Sequence, residues 1–101
     1  TWVACASAAA ALGAIPVLVD VEPNTLSISP QAARAAITDQ TKAILVVHPY
    51  CSCADIDALQ KLSEKSGIPL IEDCSQAHGA EWRGQKVGTF GTIGVFSLQQ
   101  T

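Results

Sequence analysis

An apolar run, Ile68-Pro69-Leu70-Ile71, ends in two adjacent carboxylates, Glu72 and Asp73, followed by the small polar cluster Cys74-Ser75-Gln76-Ala77-His78-Gly79. An acid carried straight out of a buried strand is costly unless something offsets its desolvation. Asp73 therefore either caps a turn or meets a positive charge held at the strand end. A second group capable of chemistry is His48, Cys51, Cys53, Cys74 and His78, whose imidazole and thiolate ligands would suit zinc. The spacing argues against it, because a single residue separates Cys51 from Cys53 where structural zinc sites place about two to four. Cys74 lies near His78, but a nucleophilic thiol needs a base beside it in space to lower its pKa, and closeness in sequence does not supply one. The series Gly88-Thr89-Phe90-Gly91-Thr92-Ile93-Gly94 precedes a strand instead of opening a helix, so it reads as turn chemistry and not as a phosphate cradle.

The elements that must position these groups can be read along the chain. Residues 2–12 are helix-compatible, with Gly13 placed to end the helix. Residues 15–20 (IPVLVD) predict a strand, and Pro23-Asn24 a turn. Ser29-Pro30 supplies an N-cap and a first-turn proline ahead of QAARAAI. Residues 43–50 (AILVVHPY) predict a second strand. Asp55 caps a helix with apolar face Ile56, Leu59 and Leu62 that Gly67 terminates. Residues 68–73 predict a third strand, EWRGQKVGTFGT a polar excursion with a short hairpin, and 93–98 (IGVFSL) a fourth strand. Apolar strands alternating with helices of roughly ten residues indicate α/β architecture, a mostly parallel sheet covered on both faces. No internal domain boundary is visible. In such sheets ligands gather beyond the carboxyl ends of the strands, which here carry Asp20, His48-Pro49-Tyr50, Glu72-Asp73 and Ser97.

Bulk properties narrow the function. Of the 101 residues, 49% are hydrophobic and only 15% charged, so much of the surface is expected to be covered by further chain or by a second subunit. The net charge of −3, without any basic cluster, argues against partners such as nucleic acid or an anionic membrane. The opening TWVACASAAAALGAIP resembles a signal peptide only in composition, since it lacks a basic leader, and it is too short to span a bilayer. The absence of an initiator Met leads to the expectation of an internal piece of a larger protein. Cys5, Cys51, Cys53 and Cys74 lie in apolar or strand-end contexts and are expected to be reduced, mostly buried thiols in a cytoplasmic protein.

One chemistry uses the strand-end groups together. A pyridinium nitrogen needs a fixed carboxylate, an aromatic face to lie on and donors for its phosphate; Asp73, Trp2 and Ser97 offer these. At those residues the chain, from TWVACASAAAALGAIPVLVDVEPNTLSISPQ through EDCSQAHGA and the following G…VG…G…G…FS, resembles the DegT/DnrJ/EryC1/StrS family of sugar aminotransferases. The resemblance runs from end to end. It implies part of the large domain of a fold type I pyridoxal-phosphate transferase, a three-layer αβα arrangement, with residues 1–101 forming a partial cofactor-binding domain and the small C-terminal domain absent.

The same resemblance implies residue roles. Asp73 would hydrogen-bond the pyridine nitrogen of pyridoxal 5'-phosphate, Gln76 would lie on the ring's hydroxyl side, Trp2 would stack on the ring, and Ser97 would contact the phosphate. Each also has a structural alternative: a turn cap for Asp73, a turn residue for Gln76, core packing for Trp2, and a backbone-satisfied hydroxyl for Ser97. His48 and His78 are read as structural. The Schiff-base lysine is expected immediately after Thr101, so no catalytic residue lies within the chain, and Lys42, Lys61, Lys65 and Lys86 do not replace it. Cys51 stands where the family usually has glycine. The implied reaction moves an amino group from glutamate or glutamine to a nucleotide-linked keto sugar or keto-cyclitol, in amino-sugar or aminoglycoside antibiotic biosynthesis, in a cytoplasmic homodimer. A pyridoxamine-dependent sugar dehydratase, with histidine in place of the lysine, and a non-catalytic zinc-stabilised domain are the alternatives.

Overall fold

A computed structural model describes residues 2–99. Strands β1 (Ile44–Val47), β2 (Leu70–Asp73) and β5 (Ile93–Val95) form a parallel sheet in the order β1–β2–β5. Val47 and Val95 both stand opposite Asp73, so the three strands finish at one edge. The sheet alternates in burial. Ile44, Val46, Leu70 and Glu72 point into a core with Ala54, Leu59 and Ile68, against which Ile28, Ile37 and Leu62 pack.

The helices that cover this face begin and end where local chemistry dictates. Ser29 accepts a hydrogen bond from the Ala32 N–H, and Pro30 opens α2 (Pro30–Ala36). Asp55 accepts from the Ala58 N–H at 3.0 Å to open α3 (Ile56–Ser66), which buries Ile56 and Leu59; Gly67, at φ +71°, closes it in the left-handed conformation that glycine adopts without a side-chain clash. The expected helix over 2–12 is α1 (Ala4–Ala11), and the N–H groups of Gly13 and Ala14 return to the carbonyls of Ala10 and Ala9, the paired closure of a Schellman motif. The expected hairpin is β3 (Glu81–Trp82) and β4 (Gln85–Lys86), joined by Arg83 and Gly84, both at positive φ as a two-residue primed turn demands. Asp57 of α3 holds that hairpin, accepting from Trp82 Nε1 at 2.8 Å and pairing with Arg83 at 2.8 Å.

Several expectations need correction. Residues 15–20 form no strand. The edge of β1 is approached instead by Ser27, whose Oγ donates to the Val47 carbonyl at 2.6 Å, while Val21 makes only an isolated bridge with Ile28. A strand needs a ladder partner, and β-branched composition does not supply one. The other strands are shorter than expected, so Ser97 lies two residues past the end of β5. Coverage on both sheet faces is also incomplete. Leu45 and Val95 stay exposed on the second face, which α1 touches at Asp73, and α1 itself buries no residue. The cysteines are free as expected but not mostly buried: Cys74 is, Cys5 and Cys53 are half-buried, and Cys51 is exposed, because it sits in a turn beyond the sheet.

Candidate active site

Beyond the carboxyl ends of β1, β2 and β5 three turns converge. Asp73 ends β2 with its side chain on the second face. Its Oδ1 accepts from the Ser75 N–H at 3.0 Å, and its Oδ2 accepts from the Cys5 thiol, in the first turn of α1, at 3.0 Å. Burial pushes the Asp73 carboxyl upward, but hydrogen bonds from Ser75 and Cys5 outweigh it and hold the group below its ordinary range. It is an ionised acid with two donors bound and lone pairs to spare.

Gln76 lies in the turn after β2. Its Oε1 accepts from the Tyr50 N–H at 3.2 Å, and its main-chain carbonyl accepts from the Cys51 N–H at 2.9 Å. Because a backbone N–H can only donate, the amide oxygen is turned toward Tyr50 and, among the described residues, the NH2 group is left free. These two bonds hold Tyr50 and Cys51 at φ +52° and +59°, a conformation costly for residues bearing a side chain. Ser97 Oγ accepts from the Gln99 N–H at 3.2 Å, and among the described residues its hydroxyl hydrogen is free to donate. Trp2 precedes α1 by two residues and is 77% exposed, which excludes core packing within the described residues. Asp73, Gln76 and Ser97 thus lie at or just past the strand ends on one side of the sheet, and Trp2 lies two residues ahead of the helix whose Cys5 bonds Asp73; two concave surfaces lie elsewhere, one near Glu22, Thr25 and Asp55 and one beside Asp20 and α2.

Glu72, which the sequence reading left without a role, organises the ground beneath. It is fully buried. Oε1 accepts from His48 Nε2 at 3.2 Å and from the Gly88 N–H at 2.8 Å, and Oε2 accepts from the N–H groups of Phe90 at 2.9 Å and Gly91 at 2.7 Å. Four donors saturate its four lone-pair sites. Burial raises the Glu72 pKa, yet the bonds from His48 and the glycine turn win and take it from the ordinary 4.5 down to about 2. The Gly88–Gly94 series is turn chemistry, as expected, and its amides also wrap this carboxylate. Signals for it were present in the buried run ahead of Glu72 and in the glycine spacing.

His48 is structural, as read from the sequence. Its Nδ1 accepts from the Ala54 N–H at 3.2 Å, so Nε2 carries the proton given to Glu72. Although ligand atoms of His48, Glu72 and Cys74 lie within 4.8 Å of one another, the imidazole and carboxylate lone pairs are already used. Burial, followed by the neighbouring Glu72 and Asp73 charges, pushes the Cys74 thiol up to about 12, opposite to what a nucleophile or metal ligand requires. His78 packs its ring on Phe96 at 5.3 Å.

All 101 residues match the family model described as the DegT/DnrJ/EryC1/StrS aminotransferase family. The chain belongs to that family. It is 54% identical, over its full length, to an L-glutamine:2-deoxy-scyllo-inosose aminotransferase of Streptoalloteichus tenebrarius. It is also 54% identical over 99 residues to an L-glutamine:scyllo-inosose aminotransferase of Streptomyces griseus, covering 98% of this chain and 23% of the relative. Among solved structures it superposes on 3-amino-5-hydroxybenzoic acid synthase with a TM-score of 0.94 at 44% identity, covering 98% of this chain and 26% of that one. An aminotransferase from Psychrobacter cryohalolentis gives 0.92 at 41%, covering 95% of this chain and 24% of that one. The chain spans about a quarter of the length of the curated relatives it matches. The α/β fold expected from the strand–helix alternation is the fold of these solved structures.

Proposed function

We propose that residues 1–101 form part of the pyridoxal-phosphate-binding large domain of an aminotransferase, and that the whole protein moves an amino group from glutamine to a keto-cyclitol. The observation that carries the cofactor reading is the ionised Asp73 carboxylate at the end of β2, with lone pairs unspent. Each neighbouring group has a spare valence that complements a different part of the cofactor. Asp73 can hold a proton on a ring nitrogen, the free Gln76 NH2 can donate to a ring hydroxylate, Ser97 can donate its hydroxyl hydrogen to a phosphate oxygen, and the uncovered Trp2 indole offers an aromatic face. When bound, pyridoxal phosphate supplies an electron sink for the charge that develops at the substrate carbon. Asp73 serves that sink by keeping the ring proton in place, and the Glu72 cluster keeps β1, β2 and the 88–91 turn in register beneath it.

The donor and acceptor follow from what the relatives' names state, glutamine and an inosose, at 54% identity. The curated relatives described above are aminotransferases, which favours lysine over a dehydratase's histidine as the residue after Thr101. Free thiols suit a cytoplasmic setting, and among the described residues no helix is long and apolar enough to cross a membrane. The exposed apolar residues of segment 12–18 support pairing of two copies in the full-length protein.

The test is to determine the sequence beyond Thr101, titrate the full-length protein with pyridoxal phosphate, and assay amine formation from glutamine and a keto-cyclitol. Lysine at the next position, a saturable visible absorbance band and amine formation are the expected results. A full-length protein that does not bind the cofactor would end this reading.

A further inference from the structure

Asp73 owes one of its two hydrogen bonds to a residue from a distant part of the chain. Cys5 lies in the first turn of α1, where it is half-buried, as are Ala6 and Ala9, and its Sγ is 3.0 Å from Asp73 Oδ2. The Ser75 N–H on Oδ1 is local to the turn and fixes one oxygen only. A carboxylate held at one oxygen still rotates about its Cβ–Cγ bond; a donor on the second oxygen stops that rotation. We propose that Cys5 is a positioning residue for Asp73, fixing the carboxylate plane from α1 while leaving it basic enough to hold the ring proton. This rests on the reading that Asp73 faces the cofactor's ring nitrogen.

The choice of sulfur follows from acid–base chemistry. Every donor on a carboxylate lowers its basicity, and a strong donor would compete with the ring nitrogen for the same charge. A thiol is a weak donor, so it orients the group at little cost to that basicity. The pair is also stable as a neutral thiol beside an anion. Burial first, and then the Asp73 carboxylate, push the Cys5 thiol up to about 11, so at neutral pH it keeps the hydrogen it donates. The other charges at this end of the sheet do not contact the thiol: Glu72 is buried on the opposite face within its four donors, and His48 is held by Glu72 and Ala54.

The experiment uses the full-length protein and two readouts besides turnover. The infrared S–H stretch of Cys5 is isolated as the difference between wild type and Cys5→Ser, each in the Asp73 and the Asp73→Asn background. The expected result is a band that moves to higher frequency in Asp73→Asn, because a neutral amide accepts more weakly than a carboxylate. A band that stays in place means that Cys5 does not bond Asp73, and overturns the inference. The second readout is the dissociation constant for pyridoxal phosphate. Cys5→Ala is expected to raise it about tenfold without shifting the thermal midpoint, whereas Cys5→Ser, which keeps a donor but a stronger one that draws on the carboxylate's charge, falls between Cys5→Ala and wild type. If Asp73→Asn weakens binding and both Cys5 variants bind as wild type does, the positioning role is wrong and the cofactor reading stands. If Asp73→Asn itself binds as wild type does, the reading of Asp73 falls and the inference falls with it.

Discussion

Two adjacent acids, Glu72 and Asp73, point to opposite faces of one strand and have opposite relations to solvent. Glu72 is buried with every lone pair engaged, and Asp73 lies at the edge with some unengaged. Their substitutions should therefore fail differently. Glu72→Gln places an NH2 group against backbone donors and strands them, so it should destabilise the full-length protein by about 3 kcal/mol, measured as a lowered urea midpoint. Because its pKa is depressed from 4.5 to about 2, the ionised form stabilises the fold fully above pH 4.5, and this is lost as the pH falls through about 2. The gap between wild type and Glu72→Gln should accordingly narrow over that window in acid titrations. On the role proposed for Asp73, Asp73→Asn should leave the urea midpoint of the full-length protein nearly unchanged and lower its kcat about a hundredfold, by withdrawing the charge that would retain the ring proton.

At the scale of elements, the loop 88–94 must pass close to β2 for its amides to reach Glu72, and its glycines permit the approach. A Cβ on Gly91 would lie 2.5 Å from the Leu70 carbonyl oxygen, backbone that cannot give way, whereas a Cβ on Gly79 would meet nothing within 4 Å. Gly79→Ala then costs only its left-handed conformation, about 1 kcal/mol, while Gly91→Ala should cost more than about 2 kcal/mol by pushing the turn off the carboxylate. Equal losses in thermal melts of the two variants would contradict this account. Helix boundaries were legible because caps are local: Ser29 with Pro30, Asp55 and Gly67 act on groups within a few residues. The strand expected over 15–20 was not, because its composition is β-like but pairing is decided by what lies alongside.

The molecule as a whole leaves much apolar surface open. Leu12 is 88% exposed and Ile15 and Leu18 each 87%, on the segment that follows α1. Surface of this kind is normal for a part and unfavourable for an independent domain. The 101-residue polypeptide alone should therefore unfold without a sharp cooperative transition and bind a hydrophobic dye, whereas the full-length protein should melt cooperatively; calorimetry and dye fluorescence on both would decide it.

The sequence by itself determined the caps, the short hairpin, the existence of apolar strands within 43–50 and 68–73, and the family to which EDCSQAHGA and the glycine series belong, because these signals depend on neighbours along the chain or on residue identity. It also singled out Asp73, Gln76, Trp2 and Ser97, of which Asp73, Gln76 and Ser97 lie at or just past the strand ends. Only the tertiary structure decided that Glu72 takes four donors, that Gln76 turns its oxygen to Tyr50, and that Cys5, 68 residues from Asp73, bonds it. Those facts depend on which strand edges and turns come together in space. Hydrogen bonding saturates at a few ångströms, and no pattern of residue types records which distant donor fills a given lone pair.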